Sequence, residues 1–212
     1  LDKVENLEYD DRFLMTTSTG LLVSRIVVVA SGTKPVEYTG PMIPEEARSK
    51  ILYEIDSIRD EAGKTIAVVG AGDVAFDHAL NLSQENKVIL LNRGERTKCL
   101  PLLRKRAHKI AQISYHDNVA ISEINDSDGG LILACQSRQK QWELCVDYVI
   151  FAIGRIEQVD FISAELNSRS SELEKSELLF FVGDVHNGIY RQTSIAVGDG
   201  VKTAMRLYQE TF

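Results

Sequence analysis

Residues 65–75, with the sequence TIAVVGAGDVA, decide the fold of this chain. Thr65–Val69 is a short apolar run rich in β-branched residues, which is typical of a strand buried on both faces. Two glycines then predict a tight turn, and Ala75–Leu82 has the composition of a helix. Lys87–Asn92 predicts the next buried strand. Strand, helix and strand at these distances predict a parallel βαβ unit with a right-handed crossover.

The turn has the pattern Gly-X-Gly-X-X-Ala, in which each small residue has a steric reason. Gly70 permits the sharp change of direction, and Gly72 lets a pyrophosphate approach the backbone at the N-terminus of the helix. Ala75 lets the helix pack closely on the strand. The alternative is a purely structural glycine turn, but the strand before it and the helix after it favour a dinucleotide site. The predicted contacts are Gly70, Ala71, Gly72, Asp73, Val74 and Ala75.

The end of the second strand indicates which nicotinamide cofactor is favoured. An acidic residue usually stands there and binds the ribose hydroxyls of NAD, whereas this chain has Asn92, followed by Arg93 and Arg96. A guanidinium group complements a 2′-phosphate. The sequence therefore favours NADP, with NAD as the alternative, and predicts all three residues as contacts. Basic residues continue through 104–109, where a solvated helix face is the simpler explanation.

A meander of short strands, followed by a buried strand and an Ala-X-Gly ending, occurs twice at a spacing of about 120 residues, which indicates two related nucleotide-binding folds. The buried strand of the first copy is Arg25–Ala30, which we expect to be covered on both faces. Prolines and glycines in 35–44 predict a hinge. Residues 44–61 are expected to be helical, because Ile51, Ile55 and Ile58 would share one face.

Composition excludes several classes of protein. The 212-residue chain is 44% hydrophobic and has a formal net charge of −7, so we expect a globular protein that does not bind nucleic acid, because phosphate contacts require a basic face. No apolar run approaches the roughly 18 residues of a membrane span. Three cysteines without disulfide spacing fit a reducing cytoplasm. The four histidines lack metal-ligand spacing and no side-chain pair resembles a general acid and base, so neither metal ligands nor catalytic residues are predicted.

Three stretches together resemble the thioredoxin reductase-like branch of the pyridine nucleotide flavoproteins. They are VVGAGDVA at 68–75, AIG at 152–154, and FVGDV, YRQ and AVGDG between 181 and 200. The resemblance implies an α/β fold, with a Rossmann-like three-layer NAD(P)-binding domain containing a β-meander at 42–153. It also implies a remnant of a second, related FAD-binding domain, formed by 1–41 and 154–212.

The resemblance also implies site residues. Asp184 would contact the ribityl chain of FAD, and Arg93 would bind the 2′-phosphate of NADPH, although the arginine usually beside it is Gly94 here. The further positions implied as cofactor contacts are Gly32, Ile153, Gly154, Gly183, Arg191, Gln192 and Thr193.

Two departures from the family pattern matter. The redox-active Cys-X-X-Cys that normally precedes the nicotinamide glycine turn is missing, and about that position the chain has Leu52–Ile55. Without two close thiols, thioredoxin reduction by the usual route is not expected. Cys135 and Cys145, in neighbouring strands, could approach each other, but we favour buried hydrophobes. The family's opening Gly-X-Gly-X-X-Gly is also missing, so we expect an N-terminally truncated chain that binds FAD poorly and is inactive by itself.

The sequence therefore predicts an FAD-dependent NAD(P)H oxidoreductase that transfers a hydride from NADPH to flavin and electrons to an unidentified small protein or small molecule. Two alternatives stay open: a thioredoxin-type disulfide reductase that uses cysteines outside this chain, and a non-catalytic NADP-binding module. The resemblance further implies a homodimer.

Overall fold

The computed structural model describes residues 2–211. The strands, in chain order, are β1 (Val4–Asp10), β2 (Arg12–Thr17), β3 (Gly20–Ser24), β4 (Val27–Val29), β5 (Thr33–Pro35), β6 (Ile51–Leu52), β7 (Thr65–Val69), β8 (Lys87–Leu91), β9 (Ile113–His116), β10 (Ala120–Ser127), β11 (Gly130–Gln136), β12 (Gln141–Val146), β13 (Tyr148–Phe151), β14 (Arg155–Glu157) and β15 (Leu179–Phe181). The α-helices are α1 (Asp73–Leu82), α2 (Pro101–Ala107), α3 (Ala164–Lys175) and α4 (Thr193–Thr211).

The chain divides into two compact units. One is continuous, Pro35–Gly154, and the other combines Leu1–Lys34 with Arg155–Phe212. The breaks expected from the sequence were at 41/42 and 153/154. Which nucleotide each unit binds stays a prediction at this point.

The continuous unit is built on a five-stranded sheet in the order β6-β13-β7-β8-β9, with parallel pairing between neighbours. The helix α1 connects β7 to β8, so the predicted βαβ unit is confirmed. Because successive side chains of a strand point to opposite faces of the sheet, consecutive residues of each strand pack into different cores.

Two cores make this unit three-layered. Ile66 and Val68 of β7 pack with Phe76 of α1 on the helical side. Ala67, which lies between them in sequence, packs on the other side with Leu133 and other residues of an antiparallel sheet in the order β10-β11-β12. The structure is therefore the predicted Rossmann-like α/β arrangement with a β-meander.

The expectation of a helix over 44–61 is wrong. Glu45–Lys50 and Asp56–Ile58 are short 3-10 helices, and β6 lies between them. Ile51 packs on the meander side of the sheet, whereas Ile55 and Ile58 pack on the helical side. Backbone pairing of the edge strand β6 with β13 directs Ile51 to the meander side, away from Ile55 and Ile58, which a single helix cannot do.

The second unit repeats part of this arrangement. It contains an antiparallel sheet in the order β1-β2-β3, followed along the chain by β4, which pairs in parallel with β15. A further two-stranded sheet joins β5 and β14. The core of this second unit includes Leu7, Phe13 and Val29, together with Leu166 and Leu173 of α3. The predicted repeat of a meander followed by a parallel strand is thus present in both units.

One expectation about this unit is wrong. The run Arg25–Ala30 was predicted to be buried on both faces, but Val28 in β4 is 42% exposed while Val29 is 4% exposed. Within residues 2–211, β4 is covered on one face, on which Val29 joins the core.

Cys135 and Cys145 do not approach each other as a pair. They lie on neighbouring strands, but Cys135 pairs with Trp142 and Cys145 with Ile132. Cys135 is buried with Leu131 and Leu133 on one face of the meander, and the alternation of side chains puts Cys145 on the other. Burial raises the pKa of the Cys135 thiol, and Cys135 is a buried hydrophobe as expected. The same expectation is wrong for Cys145, which is exposed.

None of the helices within residues 2–211 combines the length and the apolar character needed to cross a lipid bilayer.

Candidate functional site

The glycine turn lies between the end of β7 and the start of α1, where the ends of parallel strands meet. Gly70 has a φ of 151°, and a Cβ added there would lie 2.2 Å from the carbonyl oxygen of Ala152. Ala152 follows β13, the neighbour of β7 in the sheet. Only glycine therefore allows the chain to turn this close to the end of β13, which makes Gly70 a residue required by the fold.

Gly72 is in a different situation. Its φ is −95°, it precedes the first residue of α1, and a Cβ added there would meet nothing within 4 Å. The missing side chain consequently leaves open space directly before the helix. A helix leaves the N–H groups of its first turn without intrahelical partners, and these groups attract anions. The geometry fits a pyrophosphate, as the sequence predicted for this turn.

Hydrogen bonds hold the turn in place from two sides. The N–H of Gly70 donates to the carbonyl of Leu91 at the end of β8, at 3.0 Å. The N–H of Lys98 donates to the carbonyl of Ala71 at 2.8 Å, and the N–H of Leu100 donates to Oδ1 of Asp73 at 2.6 Å. The loop that follows β8 is thus attached directly to the glycine turn.

Asp73 and Val74 lie in the first turn of α1, and Ala75 is fully buried beneath them. The Asp73 carboxylate lies at the first helical position, where the helix dipole favours a negative charge. Its hydrogen bond, however, goes to Leu100 in another segment. The Cβ of Ala75 lies 3.2 Å from where a Cβ of Gly70 would stand, so a small residue is needed there for the helix to approach the turn.

Arg93 and Arg96 follow β8 on the loop attached to the turn, and both side chains are exposed. Within residues 2–211 neither guanidinium group takes part in a hydrogen bond or an ion pair. Two cations are therefore available on the loop that is attached to the glycine turn. Asn92, by contrast, is 6% exposed, and its amide forms hydrogen bonds with Gly94 and Arg96 of the loop and with Tyr115 of β9.

The two Ala-X-Gly endings lie in different units. In the continuous unit, Ile153 is exposed and the carbonyl of Gly154 accepts the N–H of Val36 at 3.0 Å. In the other unit, Gly32 has a φ of 69°, and its carbonyl accepts the N–H of Gln158, also at 3.0 Å. Positive φ at both glycines explains the residue type, while their cofactor contacts stay a prediction.

The Gly183-Asp184 turn follows β15 and is stabilised by Asp199 of α4. Oδ2 of Asp199 accepts the N–H of Gly183 at 3.2 Å and an N–H of the Asn187 side chain. The hydrogen bond from Asn187 is the main reason why the pKa of Asp199 is lowered. Asp184 itself is half-buried and makes no hydrogen bond or ion pair within the described residues. Its carboxylate is free to accept hydrogen bonds from the hydroxyl groups of a ligand.

Arg191 is held by the strand β14 of the same unit. It donates to the carbonyl of Arg155 at 3.0 Å and to the Glu157 carboxylate at 2.7 Å, while its Nε is buried without a partner among residues 2–211. Gln192 and Thr193, both with exposed side chains, stand at the start of α4. The structure therefore brings Asp184, Arg191, Gln192 and Thr193 together in one unit.

Several residues that shape these sites were not singled out from the sequence. Asp199 lies in the AVGDG stretch quoted for the resemblance, so the sequence carried a signal for it, although no role had been assigned. The sequence carried no signal for Glu157 or Leu100. Glu157 acts through a salt bridge to Arg191, 34 residues away, and Leu100 acts through its backbone N–H.

Comparison with known proteins bears on the family and the fold of the chain. A family model described as pyridine nucleotide-disulphide oxidoreductase matches residues 2–178. The chain is 30% identical over 105 residues to a ferredoxin–NADP reductase of Ehrlichia canis, an alignment that covers 47% of this chain and 30% of the relative. It is 22% identical over 210 residues to a ferredoxin–NADP reductase of Wolbachia pipientis subsp. Culex pipiens, covering 94% of this chain and 61% of the relative.

Among solved structures, thioredoxin reductase of Lactococcus lactis is similar, with a TM-score of 0.82 at 20% identity over 98% of this chain and 73% of that chain. This similarity shows the fold. The chain spans less than two thirds of each of the two curated relatives.

Proposed function

The chain belongs to the pyridine nucleotide-disulphide oxidoreductase family, and we propose that the whole protein is an FAD-dependent oxidoreductase that transfers a hydride from NADPH to flavin. The observation that carries the proposal is the glycine turn of the continuous unit. It combines an open position at Gly72, the N-terminus of α1, and two exposed arginines on an attached loop.

The proposed NADPH site uses residues of the continuous unit alone. The backbone at Gly72 and the first turn of α1 would hold the pyrophosphate, because N–H groups and the positive end of the helix dipole favour an anion there. Arg93 and Arg96 would bind the 2′-phosphate, which distinguishes NADPH from NADH. These residues bind and orient the cofactor, and they supply no proton.

The proposed FAD contacts lie in the other unit. The free Asp184 carboxylate would accept hydrogen bonds from the ribityl hydroxyls, and the start of α4 would lie beside the ring with Gln192 and Thr193. The Arg191–Glu157 salt bridge would hold the segment before α4 in position. When bound, the flavin supplies the hydride acceptor and passes electrons onward, so the protein needs no acid or base for that chemistry.

We propose a small protein as the electron acceptor, as the names of the ferredoxin–NADP reductase relatives suggest. Within residues 2–211 the three cysteines form no close pair, which supports a route for electrons that uses no dithiol of this part of the protein. Cys135 and Cys145 lie on opposite faces of one sheet, and Cys99 belongs to the helical side of another. A homodimer, implied by the resemblance, and a cytoplasmic location, expected from the cysteine pattern, are part of the proposal. Sedimentation of the purified protein measures the oligomeric state.

The proposed NADPH site is tested by thermal unfolding of the chain, with the fluorescence of Trp142 as the signal. This is the one tryptophan of the sequence, and it lies on β12 in the continuous unit. NADPH at 100 times its Kd should stabilise that unit by about 2.7 kcal/mol, whereas NADH at the same concentration should stabilise it less. A transition that neither cofactor moves would contradict the proposal.

A further inference from the structure

Asn92 occupies the position at which dinucleotide-binding folds usually carry the acidic residue that binds ribose hydroxyls. It follows β8 directly, and its backbone is fixed by two bonds: its N–H donates to His116 at 2.8 Å, and its carbonyl accepts the N–H of Val119 at 2.9 Å. Its side chain is nearly fully buried. A residue placed in this way can reach a ligand only if its amide group points outwards.

The amide group of Asn92 is occupied by the protein at both ends. Nδ2 donates to the carbonyl of Arg96 at 3.2 Å and to the hydroxyl of Tyr115 at 2.9 Å, and Oδ1 accepts the N–H of Gly94 at 3.0 Å. Both amide hydrogens are therefore used. A ribose hydroxyl that accepted from Nδ2 would have to displace Arg96 or Tyr115, and Oδ1, which already accepts the Gly94 N–H, belongs to a residue that is only 6% exposed.

Two of these hydrogen bonds, to the carbonyl of Arg96 and from the N–H of Gly94, close the segment 92–96 into a turn. Arg93 is the first residue inside the turn and Arg96 is the residue whose carbonyl closes it. Tyr115, the third partner, belongs to β9, and its ring packs against Phe76 of α1 with 6.0 Å between ring centroids. Asn92 thus connects the two arginines to the sheet and, through Tyr115, to the helix that begins at the glycine turn.

We infer that Asn92 is a positioning residue that selects NADPH by fixing the turn that carries Arg93 and Arg96, and that its side chain does not touch the ribose. The inference rests on the proposed NADPH site. It changes the origin of specificity, because the amide acts through the shape of the loop rather than by a contact with the cofactor. An aspartate cannot reproduce this role, since a carboxylate cannot donate to the carbonyl of Arg96.

The experiment is calorimetric titration of the complete chain, and of the variants Asn92→Asp and Asn92→Ala, with NADPH and with NADH. Both variants should lose about ten-fold in NADPH affinity, which is the size expected for one lost charge-assisted phosphate contact, and should bind NADH as the unmodified chain does. A gain of NADH affinity in Asn92→Asp would show that this side chain reaches the ribose and would overturn the inference.

A second variant keeps the test decisive where Asn92 variants unfold. Tyr115→Phe removes one acceptor of the amide and keeps the ring on Phe76, so it should lower the NADPH affinity in the same direction by a smaller factor. Equal losses for NADPH and NADH in all variants would mean a general structural defect and would also overturn the inference. Failure of the unmodified chain to bind either nucleotide would overturn the proposed function itself, and an unchanged ratio in the variants would overturn only the role of Asn92.

Discussion

The carboxylate of Asp73 accepts a hydrogen bond from the backbone N–H of Leu100 at 2.6 Å, which joins the first residue of α1 to a residue 27 positions later. Together with the bond from Lys98 to Ala71, it makes the glycine turn and the loop after β8 one connected structure. The proposed pyrophosphate position and the loop that carries the two arginines are thus joined by direct contacts within one unit.

Asp73→Ala should weaken NADPH binding by about three- to ten-fold, because losing one net hydrogen bond costs about 0.5–1.5 kcal/mol and frees the loop. Asp73→Asn is the matched control. It keeps an oxygen that can accept the Leu100 N–H and removes a negative charge near the phosphates, so its affinity should equal or exceed that of the unmodified chain. Affinity unchanged in the alanine variant would show that this bond does not support the site.

Gly70 and Gly72 should respond differently to the same substitution. Gly70→Ala adds a Cβ at 2.2 Å from the Ala152 carbonyl and at a φ of 151°, so the continuous unit should lose roughly 3 kcal/mol of unfolding free energy. Gly72→Ala meets open space and should change stability by less than about 1 kcal/mol. Urea unfolding followed by Trp142 fluorescence measures both.

The two variants at Gly72 then report on the cofactor. Gly72→Ala should weaken NADPH binding, and Gly72→Val should abolish it while the unit stays folded, because the added carbons fill the space assigned to the pyrophosphate. Unchanged NADPH affinity in the valine variant would remove this turn from the site.

Arg93→Ala should weaken NADPH binding about ten-fold and leave NADH binding nearly unchanged, since a charge-assisted hydrogen bond contributes about 1.5–3 kcal/mol. Arg48→Ala is the control for net charge. Arg48 is an exposed arginine of the same unit that is paired with Glu45 in a 3-10 helix, and its loss should affect neither cofactor. Equal weakening of NADPH and NADH by Arg93→Ala would contradict the 2′-phosphate assignment.

The hydrogen bonds that Asp199 accepts at the Gly183-Asp184 turn should make the free energy of unfolding depend on pH. Because the Asn187 amide and the Gly183 N–H lower the pKa of Asp199 below its usual 3.8, the ionised Asp199 stabilises the folded state above that value. Its contribution is lost as pH falls through the lowered pKa. Asp199→Asn keeps an acceptor oxygen without the titration, so its stability should fall less on acidification.

Urea unfolding at several pH values between about 5 and 3, followed by helical circular dichroism, measures this difference. The two longer helices, α3 and α4, belong to the unit that contains Asp199. Parallel pH profiles for Asp199→Asn and the unmodified chain would show that Asp199 does not contribute through its charge.

Local patterns in the sequence were sufficient to predict the centre of the fold. The strand Thr65–Val69, the two glycines and the following helix are specified by residues adjacent in sequence, so the βαβ unit could be predicted without tertiary information. The meanders were equally predictable, because turn residues separate their alternating strands. The sequence also identified Arg93 and Arg96 as cations placed after the second strand.

The remaining features depend on contacts between distant segments. The isoleucines of 44–61 fit a helical spacing, but pairing of β6 with β13 outweighs that weak preference. Helix α3 was missed because its two buried leucines, Leu166 and Leu173, stand in a polar sequence. The Ser163 cap, which accepts the N–H of Leu166 at 3.2 Å, was the available signal. The amide of Asn92 points inwards because it donates to the hydroxyl of Tyr115, which lies 23 residues away and could not be paired with it from the sequence.

The central claim is that the unit Pro35–Gly154 binds NADPH at the glycine turn and prefers it to NADH. The most direct measurement is calorimetric titration of the unmodified chain with each cofactor under identical salt conditions. The structure predicts saturable binding with one NADPH per chain, and an affinity for NADPH about ten-fold or more above that for NADH, because two arginines are available to the 2′-phosphate. Absence of heat with both cofactors, or equal affinity for them, would contradict the account.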